Sequence, residues 1–464
     1  MRLSVFLFAS IIIITSSCER LLPIPASLKI PERCNDFNAV NDFSFSYDDI
    51  SSQTTISFNT AHTSDLSIFY QLEGKNYFLK SGKAKSKGSN NFDIEIPYLS
   101  TNSDYKLLIK DEAGNCLCKE NYNISIPYKE NKRQSGKVTS YLKSRSFKSF
   151  ILTHDRNKSP KSFFLLNEYG HKVWNHEFEQ GRSPKVFSLS KENHIIAMLG
   201  DSSSLLLPSD EIVEIDFNNG VEQRLKYGEH FKKYLHHDIK KVNGNYHAIT
   251  YDTAIVDLSS IGGSANQEVI GDGIIVLSEN GELLWEWSVF DVRSPLTDPA
   301  ILKRTHDWLH MNSLTIDADG NYYLSFRNTS EIWKVDGSTG DLLYSYTDDV
   351  LSGQHSMELI NQEQLILFNN SLETNQSSAL IYKISQGQIS NLMYQTPLDQ
   401  SYFSYVMGSA YLNDNNLLFC STSSSSILLT DFNGNIEWKY EDGFFPFRAY
   451  SFKPKEFNFT RYYE

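Results

Sequence analysis

Three histidines and one arginine stand out because each histidine comes shortly before a strand-like repeat. His237 follows His236 and precedes Asp238. His310 closes Asp307-Trp308-Leu309-His310 and leads into Met311-Asn312-Ser313, and His355 lies in Gly353-Gln354-His355-Ser356. His237 and His355 both fall seven residues ahead of a turn position, held by Gly244 and Gln362, and His310 falls three residues earlier relative to its own turn. Arg327, followed by Asn328, comes seventeen residues after His310, across that repeat's hairpin. Imidazoles beside a guanidinium suit an oxyanion such as sulfate or phosphate, which arginine grips bidentately. One imidazole can act as nucleophile while the others carry charge or protons. Three histidines could also hold zinc, but a guanidinium is repelled by a dication, so no metal is expected. A lone histidine on a strand usually serves packing, and His62, His171, His194 and His247 need no other role. Asp307-Trp308 reads equally as a blade-packing element or a substrate contact.

The elements that must position these residues are repeats. A strand pair around a turn glycine recurs six times, at Gly170, Gly220, Gly281, Gly340, Gly387 and Gly434, at intervals of 47 to 61 residues. Glycine supplies the positive φ of a tight hairpin, and the interval fits a four-stranded propeller blade. A second strand pair lies between the glycines, as in Ile239–Ile249 and Leu314–Leu324. The fold expected is therefore all-β: a six-bladed β-propeller over residues 137–464, preceded by a small N-terminal β-sandwich domain and linker over 19–136. The innermost strand of each blade starts at the central channel, so residues ahead of the second repeats converge on one mouth. In the N-terminal part, alternating stretches such as Phe43–Tyr47, Thr55–Phe58 and Tyr105–Ile109 read as sandwich strands, and nothing there has catalytic spacing.

The first eighteen residues read as a targeting signal. Arg2 is followed by the apolar run Leu3–Ile14 and then Thr15-Ser16-Ser17-Cys18, too short a run to span a bilayer in a folded protein. Small residues before Cys18 resemble a lipobox, so export and a lipid anchor in the bacterial cell envelope, at the periplasm or outer membrane, are expected. In an oxidising compartment a Cys34 bridge to Cys116 or Cys118 fits. The formal net charge of −13 argues against a nucleic-acid partner, which needs a basic footprint. No glycine-rich phosphate loop is present, so no nucleotide cofactor is expected. A homodimer is left open.

Asp307–Ser313, Ser325-Phe326-Arg327-Asn328, Gly353–Ser356 and His237-Asp238 ahead of Asn243-Gly244-Asn245 together resemble the PAPS-independent aryl-sulfate sulfotransferase (arylsulfotransferase) family, over roughly residues 140 to 464. The resemblance implies a six-bladed propeller behind a small β-domain and a cofactor-free ping-pong reaction. It implies that His355 takes the sulfuryl group from an aryl sulfate donor as a sulfohistidine and passes it to a phenolic acceptor. His237, His310 and Arg327 would hold the sulfuryl oxygens, and Asn312 would orient His310 or the substrate. Ser356-Met357 replaces the smaller residues expected after the nucleophile. A non-catalytic surface propeller that binds glycan or protein ligands is the competing reading.

Overall fold

The computed structural model describes residues 40–452, apart from several loops of the first 130 residues and from 131–136, 142–148, 158–160, 167–169, 171, 205–207, 218–219 and 442. Cys18, Cys34 and Cys118 lie outside the described residues. Cys116 is disulfide-bonded, and Cys420 is a buried free thiol.

Alternating apolar residues in the N-terminal part form two four-stranded sheets. Ile56, Phe58, Ile94 and Ile96 from one sheet and Ile68, Leu107, Ile109 and Ile124 from the other share one hydrophobic cluster.

From Lys137 onward the chain makes six sheets in succession. Their innermost strands are Arg182–Leu189, Leu235–Val242, Met311–Ile316, His355–Asn361, Ser409–Asn413 and Ala449–Phe452. From Arg182–Leu189 to Ala449–Phe452, each packs beside the next. The ring closes where the Phe187 and Tyr450 rings meet edge to face at 5.5 Å. Second and third strands such as Tyr322–Phe326 and Ser426–Thr430 are buried throughout, although the long Asn245–Val256 emerges after Thr250, whereas an outermost strand such as Leu342–Tyr346 alternates half-buried and exposed. That gradient is what face-to-face stacking of twisted sheets around an axis requires. Five of the six turn glycines, Gly170, Gly281, Gly340, Gly387 and Gly434, have the expected positive φ, whereas Gly220 opens the strand Gly220–Lys226.

Both chain ends are used to close the ring. Ala449–Phe452 pairs with Phe150–Asp155, so one sheet combines the last described strand with three early ones. Lys137–Tyr141 adds a fifth strand to the outside of the neighbouring sheet.

Candidate functional site

Inner strands enter from one mouth and second strands run back to it. His237, His310 and His355 sit at three successive entrances, and Arg327 and Asn370 each follow the end of a second strand, Tyr322–Phe326 and Gln364–Asn369. All three inner strands are bulged at the mouth, between Leu235 and Ile239, Met311 and Ser313, and His355 and Glu358. His237 has φ 58°, His310 φ 60° and Ser356 φ 51°. Bulges and left-handed residues re-aim side chains that a regular strand would point elsewhere, and they cluster at functional sites.

The result is a tight histidine cluster. The His237 and His310 rings lie 4.5 Å apart, centroid to centroid. His355 is buried, and its Nδ1 donates to Asn370 Oδ1 at 2.7 Å and to the Gly353 carbonyl at 3.0 Å. The Asn370 amide is itself fixed, because its Nδ2 donates to the Ser404 and Met407 carbonyls. Two acceptors on Nδ1 place the proton there and leave Nε2 with its lone pair. Burial, then the charges of Arg327 and His310, push the His355 pKa down to about 3. The ring is a neutral imidazole at any ordinary pH, as a nitrogen nucleophile must be.

His310 is held differently. Its Nδ1 pairs with Asp307 Oδ2 at 2.5 Å. Burial would raise the Asp307 carboxyl, but the hydrogen bond from His310 and nearby positive charge hold it below its usual range. Asn328 Nδ2 donates to the Asp307 carbonyl at 2.8 Å and so pins this segment. Trp308 is fully buried and donates to Asp298; of the pair, the tryptophan packs and the aspartate serves the histidine.

His237 is buried with His236, their Nδ1 atoms 2.7 Å apart. Burial, then the neighbouring histidines and Arg448, hold the His237 pKa well below normal. Arg327 is half-buried, and its guanidinium lies over the Tyr405 ring, 5.5 Å from its centroid. Tyr405 is 58% exposed. Asn312 is buried and donates to the Gln354 carbonyl at 2.6 Å. It braces the strand that carries His355 and makes no contact with His310 among its described hydrogen bonds.

Beneath the histidines runs a polar floor. Arg448 is fully buried and bonds to Asp238 Oδ1 at 2.6 Å, Ser356 Oγ at 3.1 Å and the His237 carbonyl at 3.4 Å. Asp238 also accepts from Ser313 Oγ and the Leu314 amide. Among the described residues, no group of three or more His, Cys, Asp or Glu side chains is arranged to hold a metal ion.

Asn370, Arg448, Asp272 and Tyr405 escaped the sequence reading. Aligning the blades would have exposed two of them. Asn370 follows its second strand as Arg327 does, and Arg448 precedes its inner strand as His310 does. Asp272, in the third strand Gln267–Leu277, carries no motif.

Fold and mouth together define a β-propeller with histidines and arginines gathered at one end of its axis. Within it, residues 134–349 match the arylsulfotransferase (ASST) family model, the family that the sequence motifs resemble. His237, His310 and Arg327 fall inside the matched residues, and His355 lies six residues beyond them. No curated protein matches the chain by sequence. Among solved structures, a protein of unknown function from Bacteroides caccae is 12% identical with a TM-score of 0.43, covering 65% of this chain and 98% of its own. The β-propeller domain of Myceliophteria thermophila Cps50 (Swd1) is 10% identical with a TM-score of 0.36, covering 66% and 99%. Virginiamycin B lyase from Staphylococcus aureus is 10% identical, also at 0.36, covering 74% and 94%.

Proposed function

We propose that the protein is an aryl-sulfate sulfotransferase in which His355 Nε2 attacks the sulfur of a phenolic sulfate. The observation that carries this reading is the fixed, neutral His355 ring, whose Nδ1 is bound by two acceptors so that Nε2 keeps its lone pair, and which feels the charges of Arg327 and His310. As the N–S bond forms, the bond from sulfur to the phenolic oxygen breaks. Arg327 and His237 hold the sulfuryl oxygens, where charge develops. His310 gives the departing phenolate a proton from Nε2, and Asp307 balances the charge on the ring. In the second half, the acceptor phenol returns a proton to His310 and its oxygen takes the sulfuryl group from His355, which restores the neutral imidazole. Tyr405, packed on Arg327, offers a face for the aryl ring of the donor or acceptor. The reading keeps Cys18 as a lipid anchor in the cell envelope, and a fatty-acid label retained by the wild type and lost in Cys18→Ala tests that part.

The direct test uses 4-nitrophenyl sulfate with excess phenol. Nitrophenol release that needs phenol, and that disappears in His355→Ala, is expected. A mass increase of one sulfuryl group on His355 when donor is added alone would identify the intermediate. No release from the wild type with any good donor would transfer the case to a ligand-binding propeller.

A further inference from the structure

His237 does not stand alone in its pocket. Its Nδ1 is 2.7 Å from His236 Nδ1, and His236 Nε2 is 3.5 Å from Asp272 Oδ1. The His236 and Asp272 side chains are 1% and 3% exposed. Asp272 Oδ2 and His236 Nε2 are buried and complete no hydrogen bond of ordinary geometry. None of this is needed to build a strand, and a buried imidazole nitrogen held against a buried carboxyl group is costly unless a proton lies between them. We propose that Asp272 and His236 form a relay behind His237 that fixes which nitrogen of the His237 ring carries its proton, which makes Asp272 a positioning residue for the sulfuryl oxyanion. The inference rests on the sulfotransfer reading for its purpose, though not for its geometry.

Two proton arrangements satisfy the chain of contacts. With Asp272 neutral, its O–H donates to His236 Nε2, His236 Nδ1–H donates to His237 Nδ1, and His237 Nε2–H is left as a donor. With Asp272 ionised, His236 Nε2–H faces the carboxylate, His237 Nδ1–H donates to His236 Nδ1, and His237 Nε2 presents a lone pair. The second state has one proton fewer, and the proton that leaves departs from His237 Nε2. A donor at Nε2 attracts a sulfuryl oxygen and a lone pair repels it, so only the first state suits the substrate.

The surroundings of Asp272 favour the first state. Burial raises its pKa to about 8, and the carboxylates of Asp307 and Asp252 push the same way, against the backbone amides of Met311 and His310. The other groups facing the relay are Tyr251, whose ring stacks on His236 at 4.0 Å, and His310, whose charge disfavours a cation on His236. The Thr250 carbonyl also lies beside His236 and competes for its proton.

The proton positions can be read without turnover. In full-length protein labelled with ¹⁵N-histidine, long-range proton–nitrogen spectra distinguish the two neutral tautomers of each ring, and the His237 signals are those lost in His237→Gln. The wild type should show Nε2–H at about pH 6.5 and Nδ1–H above about pH 9, either side of the raised Asp272 value. Asp272→Asn, which cannot ionise, should hold a single His237 tautomer throughout, and His236→Gln, which cuts the relay between unchanged ends, should abolish the pH dependence. A wild-type His237 that keeps one tautomer across this range, or an Asp272→Asn protein that titrates like the wild type, would overturn the proposal. In the donor half-reaction the wild-type rate should fall about tenfold per pH unit above the transition, and Asp272→Asn should flatten that limb. Absence of turnover by the wild type at every pH would instead dispose of the sulfotransfer reading and leave the nitrogen spectra to judge the relay.

Discussion

Asn370 Oδ1 lies 2.7 Å from His355 Nδ1, and the same amide holds the Ser404 and Met407 carbonyls through its nitrogen. One side chain therefore sets the tautomer of the candidate nucleophile and ties it to the loop that carries Tyr405. Asn370→Leu should lower the rate of the donor half-reaction by about 10²-fold, the usual scale for a misplaced proton. Asn370→Asp keeps the acceptor oxygen and should retain more activity than the leucine variant. Equal rates for Asn370→Leu and wild type in a stopped-flow burst would remove Asn370 from the mechanism.

Asp307 backs His310 at 2.5 Å. If His310 protonates the leaving group, Asp307→Asn should cost little with 4-nitrophenyl sulfate, whose phenolate leaves unaided, and about 10²-fold with phenyl sulfate. A loss that is the same for both donors would assign Asp307 to packing.

Tyr405 stands over Arg327 and is largely exposed. Tyr405→Ala should raise KM for aryl sulfates by about three- to tenfold, the worth of one aromatic contact, with kcat little changed. Tyr405→Phe should behave as the wild type. A fall in kcat alone would show that the ring serves Arg327 and not the substrate.

His236, His237 and His355 are all buried with pKa values pushed below normal, His236 and His355 to about 3. Their unfolded forms take up protons near pH 6.5 while the folded forms stay neutral, so the unfolded chain binds more protons below that pH and stability rises with pH. The melting temperature should therefore drop as pH falls from about 7.5 to 5, and a His236→Gln protein should show a shallower drop.

Arg448 and Asp238 form a fully buried pair at 2.6 Å. Arg448→Met strands a buried carboxylate and should destabilise the fold by about 3–5 kcal/mol in denaturant titration. The double variant Arg448→Met/Asp238→Asn should recover part of that loss, because the uncompensated charge is gone.

The periodic parts of this molecule were legible in its sequence. Strand pairs and turn glycines repeat at blade intervals, and His237 and His355 stand at the same point of their repeats with His310 three residues earlier in its own, so their convergence follows from the repeat itself. Arg327 was found through its place in the same motif. The supporting groups were not legible, for a physical reason. Asn370 acts through a contact spanning fifteen residues, Arg448 reaches Asp238 across 210, and Asp272 meets His236 from a different strand of the sheet. Such partners are chosen by the ring's three-dimensional register and leave no local motif; only alignment of the blades marks the places of Asn370 and Arg448, and Asp272 has not even that. Asn312 shows the converse: its motif is visible, but only the fold reveals that it braces Gln354.

The strand Ala449–Phe452 is the inner strand of a sheet whose other three strands end by residue 177, and Arg448 at its entrance is a keystone of the floor below the histidines. Every residue of the histidine cluster is thus made long before the piece that locks it in place. A nascent chain that has not yet reached Arg448 holds His237, His310 and His355 without the cation that neutralises Asp238 or the strand that seals the ring. Order is built into the topology: the mouth is completed only once Arg448 and the strand after it have been made, and a chain that stops before them leaves an open ring rather than a smaller closed one.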